Sequence, residues 1–142
     1  MAVVTSANLF WETAHLPLYT LWEEGSLGEK ILAVVHCTGG DFLIAAFTLG
    51  IAILIVGAYQ WPARRFFPVA CITTFLGVSY TAFSEWLNVA VKSAWAYSDL
   101  MPVITAFGFD FGVSPLLQWI VIPVLGFFRV KRWLRSRSGI IT

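Results

Sequence analysis

Three apolar runs, Ile31 to Tyr59, Phe66 to Val91 and Val113 to Phe128, constrain this chain more than any other feature. The first carries Asp41 as its only formal charge, the second carries Glu85, and the third carries none. Crossing a hydrocarbon core of about 30 Å takes about 20 mostly apolar helical residues, because every backbone N–H and C=O must be paired within the segment. Each run is long enough to reach across, the third only barely. Composition agrees: with 58% hydrophobic and 12% charged residues in 142, too few charges remain to solvate an ordinary globular surface, so lipid is the expected solvent. A net charge of +1 gives no support to a nucleic-acid partner.

The first 22 residues read as a fourth, less regular segment. Leu9, Phe10, Trp11, Leu16, Leu18, Leu21 and Trp22 are interrupted by Glu12, His15 and Pro17. No Lys or Arg precedes the apolar part and no small-x-small site ends it, so a span or an interfacial helix is expected rather than a signal peptide. Orientation follows from the basic residues, which stay on the cytoplasmic side of span ends. Arg64 and Arg65 separate the second and third segments, and Arg129, Lys131, Arg132, Arg135 and Arg137 follow the last. The other connections carry Glu23, Glu24 and Glu29 beside Lys30, and Asp99 and Asp110 after Lys92. The expected fold is therefore an all-α membrane protein: an antiparallel bundle of four transmembrane helices with both ends in the cytoplasm. The expected spans cover about residues 5–22, 31–59, 66–91 and 113–130 of a single domain, 1–142. An outer aromatic connection over 93–112 and a basic tail over 131–142 complete it.

This topology sets the heights of the polar residues. Asp41 and Glu85 lie equally far along their helices from Gln60 and Phe66, about 28 Å at a rise of 1.5 Å per residue. Both belong to the outer half. Glu12, His15 and Tyr19 are spaced i, i+3, i+7, one stripe of a helix, and Pro17 is expected to kink that helix. His36, Cys37, Thr38, Gly39, Gly40 and Asp41 form the densest polar run within a span. His36 and Asp41 are about 140° apart on an ideal helix, so joint ligation by them requires distortion at the two glycines. Thr81, Glu85, Asn88 and Lys92 make a second polar stripe. An acidic residue near a span centre costs about 2.5 to 3.5 kcal/mol, so Glu85 is expected to be paired, protonated or turned inward; a bond to Asn88 or Lys92 is the plain structural alternative. Ser114 and Pro115 read as an N-cap and first helical residue, which recesses the start of the last helix beside Gln118. Trp95, Tyr97, Phe107, Phe109 and Phe111 suit a headgroup belt or a lid. Cys37 and Cys71 fall at opposite ends of their spans, too far apart for a disulfide.

Three chemistries fit this layer. Glu12, Asp41 and Glu85 are candidate acids and bases for an intramembrane enzyme acting on a lipid-like substrate, or for a proton relay in a small transporter. Tyr19, Thr81, Asn88, Ser114 and Gln118 are candidate ligand-binding residues. Glu12-x-x-His15, with His36, Asp41 and Glu85, offers donors for a single divalent metal ion; a di-iron site would need a second such motif. Haem between His15 and His36 is disfavoured but conceivable. The alternative without chemistry is an accessory subunit, homo-oligomeric or part of a larger membrane complex, packing through Ala46, Gly50 and Gly57.

The strings Trp11-Glu12-x-x-His15-x-Pro17-Leu18-Tyr19, His36-Cys37-Thr38-x-Gly40-Asp41, Ser84-Glu85-Trp86-Leu87-Asn88, Trp95-x-Tyr97 and Ser114-Pro115-Leu116-Leu117-Gln118-Trp119 span nearly the whole chain. Together they resemble small bacterial integral membrane proteins of four spans without assigned activity. That resemblance implies a multi-pass location in a bacterial inner membrane and brings no mechanism with it.

Overall fold

The computed structural model describes residues 1–138, with the side chains of residues 137 and 138 left aside; the tail end at 139–142 lies outside the described residues. Helix α1 (Ala2–His15) leads through a 3-10 turn (Leu16–Leu18) and a short α2 (Leu21–Glu24) into the long α3 (Leu27–Val56). After a connection bearing Arg64 and Arg65, α4 (Phe66–Glu85) continues as a π-helical segment (Trp86–Val91). Strands β1 (Val103–Ala106) and β2 (Phe109–Gly112) then form an antiparallel hairpin that runs straight into α5 (Val113–Ser138).

Among the described residues three helical segments are long and apolar enough to cross a membrane: Leu27–Val56, Phe66–Val91 and Val113–Ser136. The expected first span differs. It stops at His15, where the 3-10 turn carrying Pro17 ends α1 instead of kinking it. Its 14 residues measure about 21 Å, short of a full crossing for an upright helix. The all-α expectation also needs correction, since the 93–112 connection contains the hairpin, closed by Phe107 and Gly108 at positive φ of 54° and 76°. Positive φ at both central residues defines the hairpin turn whose twist matches its strands. Helix α5 continues into the basic tail as far as Ser138.

Local sequence explains the helix ends. Ser26 and Glu29 form a capping box at the start of α3, the Glu29 N–H donating to Ser26 Oγ at 3.3 Å and the Ser26 N–H to Glu29 Oε2 at 2.8 Å. Each bond satisfies a donor the helix start leaves unpaired. At the other end Gly57 adopts the left-handed conformation, φ 63°, the usual glycine stop. The Arg65 guanidinium donates to the Val56 carbonyl. Gly57 is thus a helix cap, while Ala46 is exposed and Gly50 has open space where a Cβ would stand.

Helix α3 packs on α4, α4 on α5, α5 on α1 and α1 on α3, a closed ring. Neighbours run in opposite directions: Asn8 meets Gln118 and His15 meets Ser114, while Phe127 meets Phe66 and Trp119 meets Gly77. The interior of α4 is a strict every-fourth-residue stripe of Val69, Thr73, Gly77, Thr81 and Glu85. Small residues there let the backbones approach, and a Cβ on Gly77 would overlap the Trp119 ring. Distribution is inverted relative to a water-soluble bundle. Phe10, Leu32, Phe47, Leu54, Phe75 and Leu125 are exposed while Asn8, Glu12, Asp41, Glu85 and Gln118 are buried, as expected where the surrounding solvent is hydrocarbon and polar groups must satisfy one another.

Candidate functional site

One stripe of α1 supplies the site. Asn8, Glu12 and His15 are its buried residues, spaced i, i+4, i+7 so that all three face the ring interior. From the opposite helix, Gln118 brings its amide nitrogen to 3.1 Å from Asn8 Oδ1, 2.9 Å from Glu12 Oε1 and 2.8 Å from Asp41 Oδ2. Three helices therefore converge on one nitrogen. An amide nitrogen carries two protons, so three oxygens compete for two donors, and the hub has unspent acceptor capacity.

A second arm extends from Glu12. His15 Nε2 lies 3.2 Å from Glu12 Oε2, and His15 Nδ1 lies 3.0 Å from Ser114 Oγ, which in turn accepts from the Trp11 indole N–H at 3.3 Å. With a carboxylate at Nε2, the tautomer protonated there is favoured. Protons then point one way along the arm, from Trp11 to Ser114, from Ser114 to His15 and from His15 to Glu12. Ser114 spends its hydroxyl on this arm, in place of the expected N-cap role; α5 already begins at Val113.

Glu85 forms a neighbouring lobe. Its Oε2 accepts from the Tyr97 hydroxyl at 2.5 Å, and the same hydroxyl accepts from the Gly112 N–H at 3.0 Å. Burial, and then the bond to Glu85, push the Tyr97 phenol above its ordinary value. Rings connect the lobes, His15 to Tyr19 at 5.4 Å and Tyr19 to Tyr97 at 5.8 Å between centroids. The connection over 93–102 is pinned to the segment after α1: Thr20 N–H donates to the Ala96 carbonyl, Ser98 N–H to that of Leu18 and Ser98 Oγ to that of Pro17, each at 3.0 Å. It closes the end of the ring that holds Glu12, Asp41 and Glu85. At this end the hydroxyl of Thr38, one turn from Asp41, is buried without a hydrogen-bond partner, as is that of Thr73 toward the other end. Buried polar groups ordinarily have one.

The structure brings together Glu12, His15, Asp41, Ser114 and Gln118, with Glu85 and Tyr19 alongside and Thr81 buried one turn below Glu85. Two expected members fall away. Helix α3 runs unbroken through Gly39 and Gly40, so His36 keeps its angular separation from Asp41 and is exposed on the outside of the ring. Asn88 lies in the π-helical segment, whose wider turn shifts it off the Glu85 stripe, and its side-chain amide donates to the Ser84 carbonyl at 2.8 Å. Glu85 is therefore held by Tyr97 and by neither Asn88 nor Lys92. The metal set Glu12, His15, His36, Asp41 and Glu85 does not assemble: among the described residues no three His, Cys, Asp or Glu are placed to hold an ion. Haem between the histidines fails similarly, because both ring nitrogens of His15 are hydrogen-bonded and His36 faces outward. Cys37 and Cys71 are free thiols.

Sequence reasoning missed Asn8, Trp11 and Tyr97 as site members. Asn8 was within reach, one turn before Glu12 on the same stripe. Tyr97 was not, since nothing in the spacing of a connection shows which ring turns inward.

No protein-family model, curated protein or solved structure matches the chain. The arrangement itself carries what can be said of its chemistry. Three carboxylates, one imidazole and two side-chain amides meet with no Lys or Arg hydrogen-bonded or ion-paired to them among the described residues. Such a site is rich in acceptors and complements groups that bring protons, a hydroxyl or an amine.

Proposed function

We propose that this chain is a four-span protein of a bacterial inner membrane, with both ends in the cytoplasm, whose periplasm-facing polar centre binds a small lipid-soluble molecule through a hydroxyl or amine. In this reading Glu12 and Asp41 exchange a proton with that group. The carrying observation is the Gln118 hub, where one amide nitrogen serves oxygens from two other helices. Support for the fourth span comes from α1, which shows Val3, Leu9 and Phe10 on its exposed side and polar residues within, the turn Leu16–Leu18 and α2 extending the path that its 14 residues leave short. The orientation rests on the basic residues around 64–65 and 129–135, all at the end away from the hub.

Two other readings draw less support. A proton-coupled transporter needs titratable groups through the thickness of the bundle, yet among the described residues the buried ionisable ones, Glu12, His15, Asp41 and Glu85, all lie at one end. An accessory subunit would use exposed apolar faces, which any membrane-spanning chain also presents to lipid.

The test is native mass spectrometry of protein purified in mild detergent, with organic extraction of whatever it carries. Wild type is expected to retain a small molecule that the near-isosteric Glu12→Gln and Asp41→Asn variants lose by at least about tenfold, one factor of ten corresponding to a single good polar contact. A wild-type protein that carries nothing, or variants that carry it equally, would make the hub a structural staple.

A further inference from the structure

At the Arg-rich end, between the start of α1 and the second half of α5, lies a groove of about 770 Å³. This falls in the range of roughly 300 to 1,000 Å³ typical of small-molecule sites. Val3, Val4 and Ala7 wall it on one side, and Ile122, Leu125 and Phe128 on the other. Farther along α5 the lining changes character. Arg129, Arg132 and Ser136 continue the stripe begun by Ile122 and Leu125, at i+4, i+7 and i+11 from Leu125, so one helix face passes from apolar to cationic. Ile122 stands about 10 Å along the helix from Arg129.

Neither arginine has an ion-pair or hydrogen-bond partner among the described residues, and no carboxylate lines the groove. Two like charges three residues apart repel one another on a helix. An anion between them would remove that cost. The apolar floor excludes a simple soluble ion as the best fit, because it would leave the inner part of the groove facing nothing of its own kind.

We infer that this groove is a binding site for one anionic phospholipid of the Arg-bearing leaflet, its phosphate between Arg129 and Arg132 and an acyl chain along Ile122, Leu125 and Phe128. Basic pockets between helices at this level of a bilayer suit anionic headgroups, with each cation adding to the attraction. Size, polarity gradient and unpaired charge all point to the same occupant. Its apolar walls begin within a turn of the hub, Ala7 beside Asn8 and Ile122 four residues from Gln118, while Arg129 lies about 16 Å along α5 from Gln118.

The experiment titrates the full chain in neutral detergent with dioleoylphosphatidylglycerol or dioleoylphosphatidylcholine and reads lipid adducts by native mass spectrometry. Phosphatidylglycerol should be retained about tenfold over phosphatidylcholine, and R129Q/R132Q should abolish that preference. Arg135→Gln removes the same charge from the other side of α5, where Arg135 faces Phe66 and Phe67, and should leave the preference intact. Ala7→Leu narrows the groove and should weaken retention with both arginines present. Equal retention of the two lipids, or equal loss in Arg135→Gln and Arg132→Gln, would overturn the site in favour of diffuse surface charge.

Discussion

The two ends of this helical ring solve opposite problems with the same four helices. At the Arg-rich end the packing is plain: Ala52, Ala58 and Val69 form an apolar cluster with Ile53, Val56 and Ile72 against it, and the charges stand outside. At the other end the charges are inside, held by Gln118, His15 and Tyr97 and roofed by the 93–112 connection. Burying polar groups costs free energy unless each is matched, and apolar residues of similar volume are often equal or better for stability. The plain end buries only isolated polar atoms, the Trp61 indole N–H and the Thr73 hydroxyl, and among the described residues no charge. The polar end therefore points to a task beyond holding the helices together.

The comparison breaks most easily at Gln118. Gln118→Leu removes the donor shared by Asn8, Glu12 and Asp41 while keeping the volume, leaving carboxylates unmatched. A loss of about 3 kcal/mol is expected, read from reversible unfolding in mixed micelles. If Gln118→Leu is as stable as wild type, the acceptors are satisfied elsewhere and the hub is not the organising element.

A smaller effect tests the packing that joins the two ends. Gly77→Ala places a methyl where the Trp119 ring lies, and overpacking of this kind costs about 1 to 3 kcal/mol. Trp119 neighbours Gln118, so the substitution should also weaken ligand retention at the hub. Unchanged stability would show that the ring can step aside and that α4 and α5 are less tightly fixed than their contact implies.

How much of this was written in the sequence depends on the kind of signal. Hydrophobic length located the helices at 66–91 and from 113 onward, and gave α3 within a few residues, because apolar length is a property of each segment alone. Part of the polar cluster was legible for a related reason: 3.6-residue spacing aligned Glu12 with His15. The misses in the course of the backbone concern where that spacing breaks and where it runs on. Pro17 was expected to bend a helix and instead sits beyond its end. Gly39 and Gly40 were allowed to break α3, which runs on because a segment in hydrocarbon must pair its backbone groups within itself. The π-helical turn moved Asn88 aside, and the hairpin depends on a turn at Phe107 and Gly108 that the aromatic run concealed.

Tyr97 sharpens the difference between the ends, since it is the group that ties the outer roof to a buried carboxylate. Tyr97→Phe deletes one hydroxyl and should cost about 1 kcal/mol, with faster amide exchange over residues 93–112. Its pH signature has a definite sign. A phenol whose value is raised in the folded protein contributes stability that is complete below the unfolded value, about 10, and is lost as pH climbs toward the folded one. Wild type should therefore lose stability above about pH 10 more steeply than Tyr97→Phe. Parallel alkaline curves for the two proteins would place Tyr97 in water.

The smallest expected effect is the most discriminating for the site's boundary. His36 and His15 both entered the argument as candidate ligands, yet His15 is buried with both nitrogens engaged and His36 is exposed on the outer face of α3. His36→Ala should change stability by less than about 0.5 kcal/mol, as for other exposed positions without partners, and should leave ligand retention at the hub unaltered. His15→Ala removes the link between Glu12 and Ser114 and should impair both. Comparable losses in the two variants would mean that His36 meets a partner of its own, a second copy or another chain seated on that face, and the centre would then extend beyond the ring of four helices.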